Sequence, residues 1–77
     1  MQVAVKLFAS LREQYGFADK ALNIDACVSA LQVWQLATGQ DALPANTLIA
    51  INHEYVTAET LAENNDEIAF FPPVTGG

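Results

Sequence analysis

The sequence predicts an α+β fold in which a mixed sheet of about five strands packs on one main helix. Three observations carry this expectation. Apolar residues alternate with a period of two at both ends of the chain and form a β-branched run near residue 50. One stretch alone, between about residues 27 and 38, carries apolar residues at helical spacing. The 77 residues suffice for a single domain with a modest core, and a hydrophobic content of 52% argues against disorder.

Residues 2–9 read as the first strand. Val3, Val5 and Leu7 alternate with Ala4, Lys6 and Phe8, so Phe8 faces outward with Lys6 if the valines face the core. Residues 9–15 form a connection with room for a helical turn, and Gly16 suits its bend. Residues 21–25 read as a second strand with Leu22 and Ile24 inward. Asp25 is the expected N-cap of the helix, whose apolar face draws on Cys27, Val28, Ala30, Leu31, Trp34 and Ala37. Val33 and Leu36 widen that face, and Gly39 ends it. A loop over residues 40–46 leads to a buried strand over residues 47–52. A turn at Asn52, His53 and Glu54 returns the chain into a short strand over 55–57. Leu61 is an apolar anchor within a polar connection, and Asn64-Asn65-Asp66 is a turn. Residues 67–71 form the last strand, with Ile68 and Phe70 inward and Phe71 outward. The order ββαβββ, with the first and last strands parallel at the sheet centre, is a β-grasp, the ubiquitin-like architecture. It occupies residues 1–71, and residues 72–77 form an extended tail.

That tail, Pro72-Pro73-Val74-Thr75-Gly76-Gly77, is the most unusual stretch. Pro72 and Pro73 fix φ and push the residues before them to extended conformations. Gly76 and Gly77 leave a slender end able to enter a narrow channel. Six extended residues span about 20 Å, at ~3.3–3.6 Å each. The expectation is that the chain ends at Gly77 and that its α-carboxylate carries chemistry after activation to an acyl adenylate. The competing reading is a mobile end of no consequence.

Composition excludes several classes. The net charge is −6, with Lys6, Arg12 and Lys20 the only basic residues, which argues against nucleic acid and is compatible with a basic protein partner. No apolar run reaches membrane-spanning length, and no signal peptide is expected. Cys27 is the only cysteine, so no disulfide framework forms, and a cytoplasmic setting is expected. It reads as a buried, inert thiol on the helix face. His53 reads as a polar turn residue. No metal site, phosphate loop or catalytic set is apparent. The chain is expected to bind no cofactor, and ATP chemistry at Gly77 requires another protein.

Residues 66–77, Asp-Glu-Ile-Ala-Phe-Phe-Pro-Pro-Val-Thr-Gly-Gly, resemble the C-terminus of the MoaD family, the small subunits of molybdopterin synthase. Residues 5–13 and 48–52 resemble that family's first and middle strands. The resemblance implies a sulfur carrier. A ubiquitin-activating-like adenylyltransferase would use ATP to adenylate Gly77, and a sulfur donor protein would convert it to a thiocarboxylate. The sulfur would then pass to cyclic pyranopterin monophosphate in the large subunit, within a heterotetramer of two small and two large subunits. Gly77 matches the sulfur-bearing end and Gly76 the residue before it. Phe8, Arg12 and Phe71 match docking positions, and Tyr55 stands where the family carries an exposed apolar residue. Pro72, Pro73, Val74 and Thr75 match the part of the tail that enters the partner. Two other readings compete: a protein modifier or a carrier for another pathway such as thiamin biosynthesis, and an interaction domain with an inert tail.

Overall fold

In a computed structural model of the chain, residues 1–72 are described. The order is β1 (Gln2–Leu7), α1 (Ala9–Tyr15), β2 (Asp19–Asn23), β3 (Val28–Ser29), α2 (Ala30–Thr38), β4 (Leu48–Ile51), β5 (Glu54–Val56), β6 (Leu61–Ala62) and β7 (Glu67–Phe71). Five strands form the main sheet in the order β2-β1-β7-β4-β5, and β3 pairs with β6 in a small second sheet. β1 and β7 run parallel at the centre, with Val5 opposite Ile68 and Leu7 opposite Phe70. The remaining neighbours in the main sheet are antiparallel. This is the expected β-grasp, with two helices rather than one.

The period-two pattern sorts the two faces of the sheet as expected. Val3, Val5, Leu7, Ile49, Ile51, Ile68 and Phe70 lie in the core beneath α2. Trp34 is fully buried, packs edge-on against Tyr15 and Phe70, and donates its Nε1–H to the Ala42 carbonyl at 3.1 Å. The indole thus fills the core without stranding its polar atom.

The helix start differs from the expectation. The N-cap is Ser29, not Asp25. Ser29 Oγ accepts from the Gln32 amide at 3.1 Å, while Gln32 Oε1 accepts from the Ser29 amide at 2.8 Å. This reciprocal capping box satisfies two donors, where a lone Asp25 satisfies one at most. The buried stripe is therefore Ala30, Val33, Trp34 and Ala37, at regular i, i+3, i+4, i+7 spacing. Cys27 lies before the helix and is exposed, Val28 belongs to β3, and Leu36 faces solvent.

Other differences are local. The connection after Leu7 is a two-turn helix, α1, that buries Leu11 and closes on left-handed Gly16. β2 starts at Asp19 because antiparallel pairing continues to Lys6–Asp19, where the side chains also meet. Leu61 is not an anchor: it is exposed, and Ala62 is the buried residue. The β3–β6 register, with Val28 opposite Ala62, turns the small side chain inward.

Phe70 and Phe71 are sequence neighbours on opposite faces. Phe70→Ala should cost about 3–5 kcal/mol by leaving a cavity under Trp34, whereas Phe71→Ala should cost much less. Urea unfolding of both variants checks this. Equal losses would mean that the two faces of β7 are assigned wrongly.

Candidate docking face and carrier tail

Of the functional residues read from the sequence, Phe8, Tyr55 and Phe71 gather on the sheet face opposite α2. Side chains of β1 and β7 that do not enter the core emerge there, so the parallel pairing brings Phe8 beside Phe71. Their rings stack with centroids 4.7 Å apart and planes 9° apart. Phe8 follows the last residue of β1, and its amide donates to the Phe70 carbonyl at 3.3 Å. Ala9, with φ of 53°, then turns the chain into α1. A left-handed alanine is a strained choice, and here it separates strand from helix immediately after Phe8.

Leu48 pairs with Phe71, and Ala50 with both Ala69 and Tyr55. Alternation places Leu48, Ala50, Ala69 and Tyr55 on this same outer face, since Ile49 and Ile51 point to the core. Tyr55 is 76% exposed, Phe8 41% and Leu48 37%, a large apolar surface for so small a domain. Arg12 lies on α1, one turn beyond Phe8, and is exposed; it makes no ion pair among the described residues. Pro72 follows β7 and is half-buried. Pro73, Val74, Thr75, Gly76 and Gly77 lie outside the described residues.

A shallow depression of about 330 Å³ opens on this face, lined by Lys6, Phe8, Ala50, His53, Glu67, Ala69 and Phe71. Sequence reasoning missed Lys6, Glu67 and His53 as a group. The signal for the first two was the strand phase, which sets both on the outer face. His53 reaches them because Asn52 and His53, with φ of 50° and 73°, form the tight β4–β5 turn. The Asn52 side chain fixes that turn: its Nδ2 donates to Asp66 Oδ1 at 2.9 Å, and its Oδ1 accepts from the Glu67 amide at 3.0 Å.

Both oxygens of Glu67 are engaged. Lys6 Nζ lies 3.0 Å from Oε1, and His53 Nε2 lies 3.2 Å from Oε2. Lys6 Nζ is also 3.7 Å from Asp19 Oδ1. The hydrogen bond from Lys6 holds the Glu67 carboxyl below its ordinary 4.5, and Glu67 in turn raises Lys6 above 10.5. Among the described residues no group of three His, Cys, Asp or Glu side chains gathers in a way that would hold a metal ion. None of the described helices is long and apolar enough to cross a membrane.

A face of exposed aromatics suits contact with a partner protein. A family model described as the ThiS family matches residues 5–77. The chain belongs to the ThiS family. A curated relative from Haemophilus influenzae, named molybdopterin synthase sulfur carrier subunit, is 50% identical over 44 residues, covering 57% of this chain and 49% of the relative. The alignment thus spans about half the length of that protein. An Arabidopsis thaliana protein of the same name is 28% identical over 83 residues, covering 100% of this chain and 84% of its own. Among solved structures, SAMP1 of Haloferax volcanii, a small archaeal modifier protein, superposes with a TM-score of 0.80 at 26% identity, with full coverage of both chains. A structure from Helicobacter pylori, a complex of subunits 1 and 2 of molybdopterin-converting factor, gives a TM-score of 0.66 at 20% identity, again with full coverage, a likeness of fold.

The signs of the two shifts predict a pH response. A carboxyl held low in the folded state stabilises the fold above pH 4.5, and that contribution is lost as pH falls through the lowered value. Removing the ammonium with Lys6→Met should move the Glu67 midpoint upward. Carbon-detected NMR titration of the Glu67 carboxyl measures this, and an unmoved midpoint would show that the bridge is absent in solution.

Proposed function

We propose that this chain is the sulfur-carrier small subunit of a molybdopterin synthase. The Gly77 carboxylate is adenylated by an ATP-dependent, ubiquitin-activating-like enzyme, releasing pyrophosphate. A sulfur donor then displaces AMP and leaves a thiocarboxylate. The face built on Phe8 and Phe71 docks on the large subunit, Arg12 and Tyr55 flank it, and Pro72 to Thr75 lead the end of the chain into that subunit's active site. There the sulfur passes to cyclic pyranopterin monophosphate to form the dithiolene of molybdopterin. The carrier supplies an end group and a docking face; activation and transfer machinery belong to its partners. ATP is used in trans, the chain holds no cofactor, and the two subunits assemble two plus two in the cytoplasm.

The observation that carries this reading is the extent of the family match, which runs through Gly76 and Gly77 and so includes the tail together with the fold. The names of the two curated relatives support the pathway, and the Helicobacter pylori complex supports a large-subunit partner. The likeness to SAMP1 favours a second reading, a modifier joined through Gly77 to lysines of target proteins.

Deleting Gly76 and Gly77 should abolish sulfur transfer while leaving the fold and docking intact. Incubation with the activating enzyme, ATP and a sulfur source should add to the intact chain the mass of one oxygen-to-sulfur exchange. Conjugates that survive denaturation, without any synthase activity, would favour the modifier instead. A truncated chain as active as the full one would leave only an interaction domain.

Docking has its own test. Phe71→Arg should weaken binding to the large subunit by roughly 2 kcal/mol or more, as at an interface hot spot. The variant should stay folded because Phe71 lies outside the core. An unfolded variant would contradict the face assignment, and unchanged affinity would move the interface elsewhere.

A further inference from the structure

We propose that His53 is a proton-linked contact of the docking face: binding of the partner draws a proton onto His53, so that docking strengthens as pH falls toward 6. This rests on the reading that the Phe8–Phe71 face is where the large subunit binds. His53 was singled out in the sequence only as a turn residue. In the structure it shares one depression with the stacked phenylalanines and faces the Glu67 oxygen that Lys6 does not take.

The charges that surround it decide the sign. From β1 comes Lys6, from β2 Asp19, and from β7 Glu67, linked in one chain of contacts of 3.0 and 3.7 Å. Glu54 follows His53 directly and opens β5. Asp66 precedes β7, where Asn52 Nδ2 and the Glu63 amide occupy its two oxygens. With His53 neutral, the linked group of Lys6, Asp19 and Glu67 carries one net negative charge. With His53 protonated it carries none, and each oxygen of Glu67 faces a cation.

His53 is 86% exposed, and water screens the pair. A docked partner removes that water. Desolvating a group with net charge costs much more than desolvating a neutral one, and attraction between imidazolium and carboxylate grows as the local dielectric falls. Docking therefore favours the protonated form. Histidine is the side chain whose charge changes near neutral pH, which makes the linkage open to titration of the complex. Its contribution is full where His53 is already protonated and is lost as pH rises through the proton affinity of the complex.

The experiment is calorimetric titration of the full chain with its cognate large subunit at several pH values, each in two buffers of different ionisation enthalpy. The buffer dependence counts protons taken up on binding. The wild-type chain should take up a proton fraction near pH 7 and bind roughly three- to tenfold tighter at pH 6 than at pH 8, since one unit in proton affinity is worth tenfold. His53→Asn should abolish both effects; asparagine keeps the left-handed turn accessible. Glu67→Gln should also reduce the uptake, because it removes the anion that His53 faces. A complex that forms with no proton uptake, or with the same uptake in His53→Asn, overturns the proposal and leaves the docking reading standing. No complex at any pH overturns both.

Discussion

The parallel pairing of β1 with β7 is the constraint on which the rest of this protein depends. It joins strands near the two ends of the chain and puts Leu7 opposite Phe70. The core follows at once, because the inward residues of both strands meet α2 through Trp34. So does the outer face, because one register stacks Phe8 on Phe71 and sets Lys6 against Glu67. A slip of one residue would send Phe71 into the core and Phe70 to the solvent. The candidate docking face and the hydrophobic core are thus two readouts of the same alignment. Mutations that loosen β7 should damage both together.

Much of this was legible because strand periodicity is strict. Val3, Val5, Leu7, Ile68 and Phe70 announce the core, and Phe8 and Phe71 fall outside it by simple alternation. The helix start was less legible, since Asp25 and Ser29 are both good caps. Only the partner three residues on, Gln32, decides between them. That misplacement carried Cys27 into an imagined helix face, when it is exposed ahead of the helix. The β3–β6 pair left almost no trace, because two-residue strands have too few positions to show a period. The Lys6–Glu67–His53 group was invisible for another reason. It unites positions far apart in sequence, and its third member enters through turn geometry rather than strand phase.

The fold also decides where the few cations of this acidic chain are used. Its cations are few, and two of the three are committed. Lys20 Nζ donates to the Ala37 carbonyl at the end of α2 and lies 4.3 Å from the centre of the Phe17 ring. Lys6 sits between Asp19 and Glu67 on the opposite side of the sheet. The outer face therefore offsets part of its negative charge locally beside an apolar centre, and with His53 neutral the linked group of Lys6, Asp19 and Glu67 keeps one net negative charge. The net charge of −6 lets long-range attraction to a basic partner speed encounter.

Phe71 has two duties that are hard to separate. It is the last residue of the central strand, held by pairing to Leu48 and by the stack on Phe8, and Pro72 follows it directly. Under the carrier reading, whatever grips Phe71 also fixes the origin of the tail. Docking energy is then spent on aiming a reactive end, because a rigid base removes much of the freedom that a floating tail would lose on entering an active site. This accounts for an aromatic pair at that point, where a lone apolar residue would cover similar area. A single ring could dock and still pivot. Two rings stacked within 9° of parallel, one on the strand and one on the strained turn before α1, resist rotation of the strand end. Under that reading the chain contributes a fixed position for Phe71, and no catalytic side chain of its own is called for.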